Sequence, residues 1–290
     1  EDRDALPTAF AALRDGEAEA LIVYRLDRLA RDLILQETLL ATFHKGSRAQ
    51  VVNCDRITIN GATAHERIGR SRLPEARDRP WPLPRSAGDV QLVTAAEQMG
   101  CTLADHGWRV STGPLVWNRH KRRLSPRKRT DALRVVWAAD LDGGQLHRDG
   151  ARDKLRYFQL GDLQRSVYVL DQPAVLVQRT TAPEQRRRLV AVDLTAQALE
   201  DWGGEVVVEN HVNVLTPEDP DSALSQRVLT ALLDSDALDR LYRCLTGSVA
   251  VSAYELSSLP LPDAETLRSW QRLSDDHLQA AIADAYTAST

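Results

Sequence analysis

Three regimes of apolar and polar positions follow one another along the chain. In the first, the short apolar run ALIVY (20–24) leads into a polar stretch, after which Leu33, Leu35, Leu39, Leu40 and Phe43 recur at roughly helical spacing. Gly46 reads as a helix stop, and QVVNC after it as a second short strand. The pattern predicts a βαβ fragment over 1–54. In the second regime, 55–88, Pro, Gly, Arg and Ser dominate, which predicts an irregular connector. In the third, 89–290, AGDVQLVTAAEQM predicts a helix with Asp89 near its start, and Gly113-Pro114 in WRVSTGPLVWN marks a turn.

Five β-prone runs follow: ALRVVWAADL (132–141), SVYVL (166–170), AVLVQRTT (174–181), RRLVAVDL (187–194) and GEVVVENHVNVL (204–215). Leu224, Val228, Leu232, Leu238, Leu241 and Leu245 then recur with helical spacing, with Ser222 as the expected N-cap and a break at Asp234-Ser235-Asp236. A loop, a short strand and a one-turn helix closed by Pro260 lead to a last helix over about 264–288. The expected fold class is α+β: the βαβ fragment, then a mixed, mostly antiparallel sheet domain with C-terminal helices.

Composition adds bounds. The 290 residues suffice for one large domain or two ordinary ones, and no apolar run approaches membrane-spanning length. The N-terminus is acidic and lacks a signal-peptide core, and starting at Glu1 without a Met it reads as a cut edge; a reducing cytoplasm is the default expectation for a chain with few, unpaired cysteines. Cys54, Cys101 and Cys244 are isolated and odd in number, with no CxxC pair, which suggests neither zinc nor a disulfide framework. The net charge is −4, yet residues 118–129 hold seven Arg and Lys and no acid. Such a segment is either a solvated loop or a phosphate-binding face.

Two family resemblances sharpen this. LIVYRLDRLARD, within about 5–54, is similar to the strand-to-helix segment of the serine recombinase (resolvase-type) catalytic domain. The resemblance implies that Arg28 and Arg31 form a clamp on a scissile phosphate, since residues three apart share one helix face. The recombinase nucleophile precedes this segment, and the first serine here is Ser47. Without that serine no covalent intermediate can form. The alternative is an ordinary βα unit with surface arginines.

VSTGPLVWNRHK, AVLVQRTTAPEQRRRLVAV, VVVENHVNVL and LYRCLTGSVAVSAYELSSLPLP, over about 85–270, resemble the C-terminal, target-recognition half of adenine-N6 DNA methyltransferases of restriction–modification systems. Methyl transfer needs an S-adenosylmethionine pocket and a Pro-Pro-aromatic loop for the flipped base. The chain has no GxG, no Pro-Pro, and no acid two residues before any of its four lysines. No catalytic residue, metal or cofactor is therefore expected in this chain; S-adenosylmethionine belongs only to a complete methyltransferase.

The second resemblance implies double-stranded DNA as partner, with Asn118, Arg119, His120, Lys121, Gln178 and Arg179 as base readers, and Arg122, Arg123, Arg127, Lys128 and Arg129 on phosphates. Thr180 and Thr181 share the polar end of the Gln178 strand. Each has a bland alternative. Arg179 could pair with Glu184; Asn210, His211 and Asn213 could be buried and satisfied by backbone; Trp108 and Trp117 could be core. Ser248, Ser252 and Tyr254 would shape a loop, and His211 beside Glu209 could be named an acid–base pair. Three readings stay open: a DNA-binding module, an enzyme completed by a separate catalytic chain, and an inactive fusion remnant.

Overall fold

The computed structural model describes residues 50–59, 62–72, 82, 84–148, 154–181, 185–245 and 250–287, and the chain divides into two compact units, Glu1–Gln50 and Val51–Thr290. The strand–helix expectation before residue 50 lies outside the described residues, as do Arg28, Arg31, Glu184 and Ser248.

β1 (Gln50–Ile59) and β2 (Ala62–Arg72) form a two-stranded sheet. Within the irregular connector expected over 55–88, this replaces irregular chain by strand as far as Arg72. Val51, Val52, Ile57, Thr58 and Ile59 favour a strand, and the Asn60-Gly61 dipeptide between the two runs is a short hairpin signal that composition had obscured. α1 (Ala87–Glu97) follows, with Ser86 at its N-cap. Asp89 sits in its first turn, where it accepts from Ser86 Oγ and from Arg240.

The remainder runs β3 (Trp108–Thr112), β4 (Leu124–Ser125), β5 (Ala132–Val136), the hairpin β6 (Leu141–Asp142) and β7 (Gln145–Leu146), and β8 (Tyr157–Gln159). Then come α2 (Arg165–Tyr168), β9 (Val169–Leu170), β10 (Ala174–Gln178), β11 (Ala191–Leu194), α3 (Ala196–Asp201), β12 (Val206–Val208) and β13 (Val212–Pro217). Five helices close the chain: α4 (Gln226–Leu233), α5 (Asp236–Leu245), α6 (Ala253–Ser257), α7 (Ala264–Trp270) and α8 (Asp275–Ala285).

The fold is α+β with two main sheets. One has the order β11-β10-β13-β3 and is antiparallel throughout. The other has the order β4-β8-β5-β12-β9, antiparallel except where β12 lies parallel to β5. The period of two along each strand assigns the layers. Val175 and Val177 of β10 join a core with Leu229, Leu232, Leu241 and Tyr242 of α4 and α5, while Ala174 and Leu176 join Val206 and Val208 of β12 between the sheets. Val207 turns to a third cluster with Leu115, Leu124, Val135, Trp137 and Phe158. β10 and β12 are thus buried on both faces, which is why their valine and leucine runs show no polar alternation.

Four expectations are adjusted. GEVVVENHVNVL is two strands, one in each main sheet. SVYVL is mostly the short α2. The helix after residue 222 begins one turn later than expected: Ser225 Oγ accepts from Val228 N, while Ser222 Oγ donates to the His106 carbonyl at 2.5 Å. The break at 234–236 is present, and Ser235 Oγ there accepts from Leu238 N. The last helix is two, α7 and α8, with Ser274 at the N-cap of the second.

Candidate nucleic-acid interface

A close backbone approach sets the geometry. A Cβ on Gly113 would lie 2.3 Å from the Glu209 carbonyl oxygen, so only glycine lets the strand leaving β3 cross the end of β12. Gly113 N–H donates to Val212 O at 2.8 Å, Leu115 N–H to Val208 O at 3.1 Å, and Asn210 N–H to Leu115 O at 3.0 Å. Leu115 is fully buried. The chain then makes two 3-10 turns, Trp117–Arg119 and Lys121–Arg123, and enters β4 at the buried Leu124.

Between the turns His120 is half-buried. Its ring meets Phe158 and Tyr168 edge-on, with centroids 5.8 and 5.6 Å away, and its Nε2 is 3.2 Å from the Tyr168 hydroxyl. Arg123 donates to Leu160 O at 2.8 Å and pairs with Asp162; that hydrogen bond holds the Asp162 carboxyl below the usual carboxylate range. Lys121 Nζ lies 5.0 Å from the Trp117 ring centroid, a cation–π contact. The basic segment is therefore pinned at residues 115, 120, 123 and 124.

Between and after those anchors Asn118, Arg119, Lys121, Arg122, Arg127, Lys128 and Arg129 are exposed. Among the described residues no carboxylate pairs with the side chains of Arg119, Arg122, Arg127, Lys128 or Arg129. His120 and Arg123, expected to read a base and hold a phosphate, also make contacts within the fold, at His120 Nε2 and at the two Arg123 Nη groups.

Gln178 and Arg179 end β10 beside this loop and are half-buried. Gln178 Oε1 accepts from Gln185 at 3.2 Å, and Arg179 Nη1 donates to Asn210 O at 3.1 Å. Arg179's backbone pairs with His211 O and Val251 N. Thr180 is exposed and bridges to Ala250, while Thr181 is buried and its hydroxyl accepts from Arg188. Asn213 is fully buried, donating to Val251 O at 2.7 Å. Trp108 is a core residue whose Nε1 donates to Leu224 O at 2.8 Å, and Trp117 packs partly buried against the third cluster. Ser252 caps α6 in a capping box with Glu255, and Tyr254 is exposed. His211, by contrast, is not buried; the buried member of its pair is Glu209.

A groove of about 900 Å³ adjoins the loop, walled by Arg109, Ser111 and Thr112 on one side and Gln164, Arg165 and Tyr168 on the other. Its arginines are paired, Arg109 with Glu218 and Arg165 with Glu205. Sequence reasoning missed Tyr168 and Phe158 as supports of His120, because partners 38 and 48 residues away in sequence leave no local signal. Burial pushes the Cys244 thiol up to about 12, which makes it inert.

With this geometry in hand, similarity to known proteins can be placed on it. The family described as "Resolvase, N terminal domain" matches residues 1–70. That match runs beyond the expected boundary near residue 54 and into β2. Over 247 residues, 82% of this chain, the sequence is 25% identical to the type II methyltransferase M.BsuBI of Bacillus subtilis. The chain spans 48%, about half, of that relative's length. A chain from a structural study of complex assembly and conformational transition of the type I R-M system is 14% identical, covers 68% of this chain and 51% of its own length, and superposes with a TM-score of 0.29, too low to carry any argument.

The likeness to a methyltransferase raises the question of a methyl-donor pocket. Such a pocket uses a glycine-rich turn from a strand into a helix, where free N–H groups gather. Among the described residues the glycine pairs sit elsewhere. Gly143-Gly144 link β6 to β7, and Gly203-Gly204 lead from α3 toward β12. The β11-to-α3 turn, which has the right direction, is capped by Thr195 and contains no glycine. Among the described residues, no group of three His, Cys, Asp or Glu side chains could hold a metal ion, and no helix is long and apolar enough to cross a membrane.

Proposed function

We propose that this chain binds duplex DNA as the target-recognition part of an adenine-N6 DNA methyltransferase of a restriction–modification system, with the methyl-transfer centre carried outside it. The observation that carries the reading is the pinned basic segment. Several cations, without acidic partners among the described residues, project between and just after fixed anchors on a buried scaffold. Phosphates supply the missing counter-charge. Arg122, Arg127, Lys128 and Arg129 would hold the backbone, while Asn118, Arg119, Lys121, Gln178 and Arg179 face base edges. His120 would read a base and Arg123 hold a phosphate while also bracing the loop. Arg28 and Arg31 would add a recombinase-like phosphate grip.

In a companion reading, a separate catalytic subunit completes an adenine-N6 methyltransferase. A single assay addresses both. The purified chain is titrated against a labelled duplex and then incubated with the duplex and tritiated S-adenosylmethionine. Expected is binding on the order of 10⁻⁶ M or weaker that falls steeply with salt, and no label transferred by the chain alone. Label transferred by the chain alone would refute the proposal; no binding at low salt would refute it equally.

A further inference from the structure

Three segments far apart in sequence meet at one place: the crossing at Gly113–Leu115, the end of β10 at Gln178–Arg179, and the turn Glu209–His211 between β12 and β13. At their junction sits a buried carboxylate, Glu209. Glu209 is 1% exposed, and both its oxygens serve one residue. Oε2 accepts the His211 amide at 2.9 Å, and Oε1 and Oε2 lie 2.8 and 3.0 Å from His211 Nδ1. The His211 side chain, in contrast, is 48% exposed.

Burying a carboxylate is costly unless its oxygens are well hydrogen-bonded. An apolar residue would avoid that cost but leave the His211 amide without its acceptor. The carboxylate therefore holds the turn and, through the same oxygens, fixes an imidazole. With Nδ1 as donor to Glu209, the tautomer and the ring plane are set. Nε2, across the ring from the carboxylate, has no partner among the described residues, and in the neutral ring with its proton on Nδ1 it is an acceptor. Arg179 braces the same turn through the Asn210 carbonyl. The turn stands beside the crossing that launches the basic loop, so DNA held by that loop would bring base edges toward Nε2.

We propose that His211 is a specificity-determining contact to a base edge and that Glu209 is its positioning residue. An acceptor in the major groove recognises an exocyclic amino group, adenine N6 or cytosine N4. The inference rests on the DNA-binding reading above.

The test uses the full chain and a duplex pool with a randomised centre. The wild type selects from the pool, and affinities for the selected and a scrambled duplex are measured by anisotropy at several salt concentrations. His211→Ala and His211→Asn, the second retaining a donor for Glu209, are expected to lower the preference for the selected duplex by about five- to tenfold. Their salt slope stays unchanged, because no phosphate contact is lost. Glu209→Gln is expected to lower the preference in the wild-type background and to add nothing in the His211→Asn background, the non-additivity of a residue acting through another. Circular dichroism melts confirm that each variant is folded. Retention of the wild-type preference by both His211 variants, or an equal effect of Glu209→Gln in the two backgrounds, overturns the inference and leaves the DNA-binding reading standing. Failure of the wild type to bind or to select any sequence overturns that reading and the inference with it.

Discussion

Gly113 marks the point where one residue decides the interface. The crossing of the β3 exit over Glu209 leaves no room for a methyl group, with backbone on both sides of the contact. Gly113→Ala is expected to cost about 1–3 kcal/mol through overpacking and to lower the melting temperature by several degrees; a differential-scanning trace superimposable on wild type would contradict the geometry. Asp193 tests the electrostatics of the same scaffold. Burial raises its carboxyl above the ordinary value, only partly offset by the Gln226 hydrogen bond. In the window above the unfolded value, the folded state binds more protons than the unfolded one. Its contribution to stability therefore falls as pH rises. Asp193→Asn retains an acceptor for Gln226 without the charge. The melting temperature of the variant relative to wild type should accordingly rise from about pH 3 to about pH 6. A constant difference across that range would contradict the assignment.

At the scale of elements, the basic loop divides into supports and contacts, and the two kinds of residue should respond differently. Arg122→Ala removes an exposed cation, so the slope of log affinity against log salt should shrink by about one, with little change in stability. Arg123→Ala removes the tie to Leu160 O and Asp162. It should lower affinity through loop disorder and accelerate proteolysis of the loop, effects that Arg122→Ala lacks. Equal behaviour of the two variants in limited proteolysis would refute the division.

The elements legible in the sequence were those whose signal is local: the α1 start at Asp89, the leucine spacing of α4 and α5 with its break, and the valine runs of β10 and β12. The β1–β2 sheet was hidden by arginine, glycine and proline counts, although Asn60-Gly61 was in plain view. The splitting of 204–215 between two sheets depends on the bend at Glu209–His211, which is made by tertiary contacts with Gly113 and Leu115. For the same reason, the cations of 118–129 were visible as a group in the sequence. Which of them are free and which are committed could not be read, because Tyr168, Phe158 and Asp162 lie at least 38 residues away.

For the whole molecule, two sheets and a helical layer hold a cationic segment in place with a single carboxylate tie among the described residues, Arg123 to Asp162. Resolvase-like sequence at 1–70 precedes this body, and likeness to a type II methyltransferase covers most of the chain but about half of that relative. A chain with a net charge of −4 has no general attraction for nucleic acid, so affinity must come from the local segment. The decisive measurement is duplex binding across a salt series for the wild type and for a variant with Arg119, Arg122, Arg127 and Arg129 all changed to Gln. The account predicts that the variant folds normally and that its salt slope is smaller by about three to four. An unchanged affinity and slope would mean that the pinned basic segment does not touch DNA.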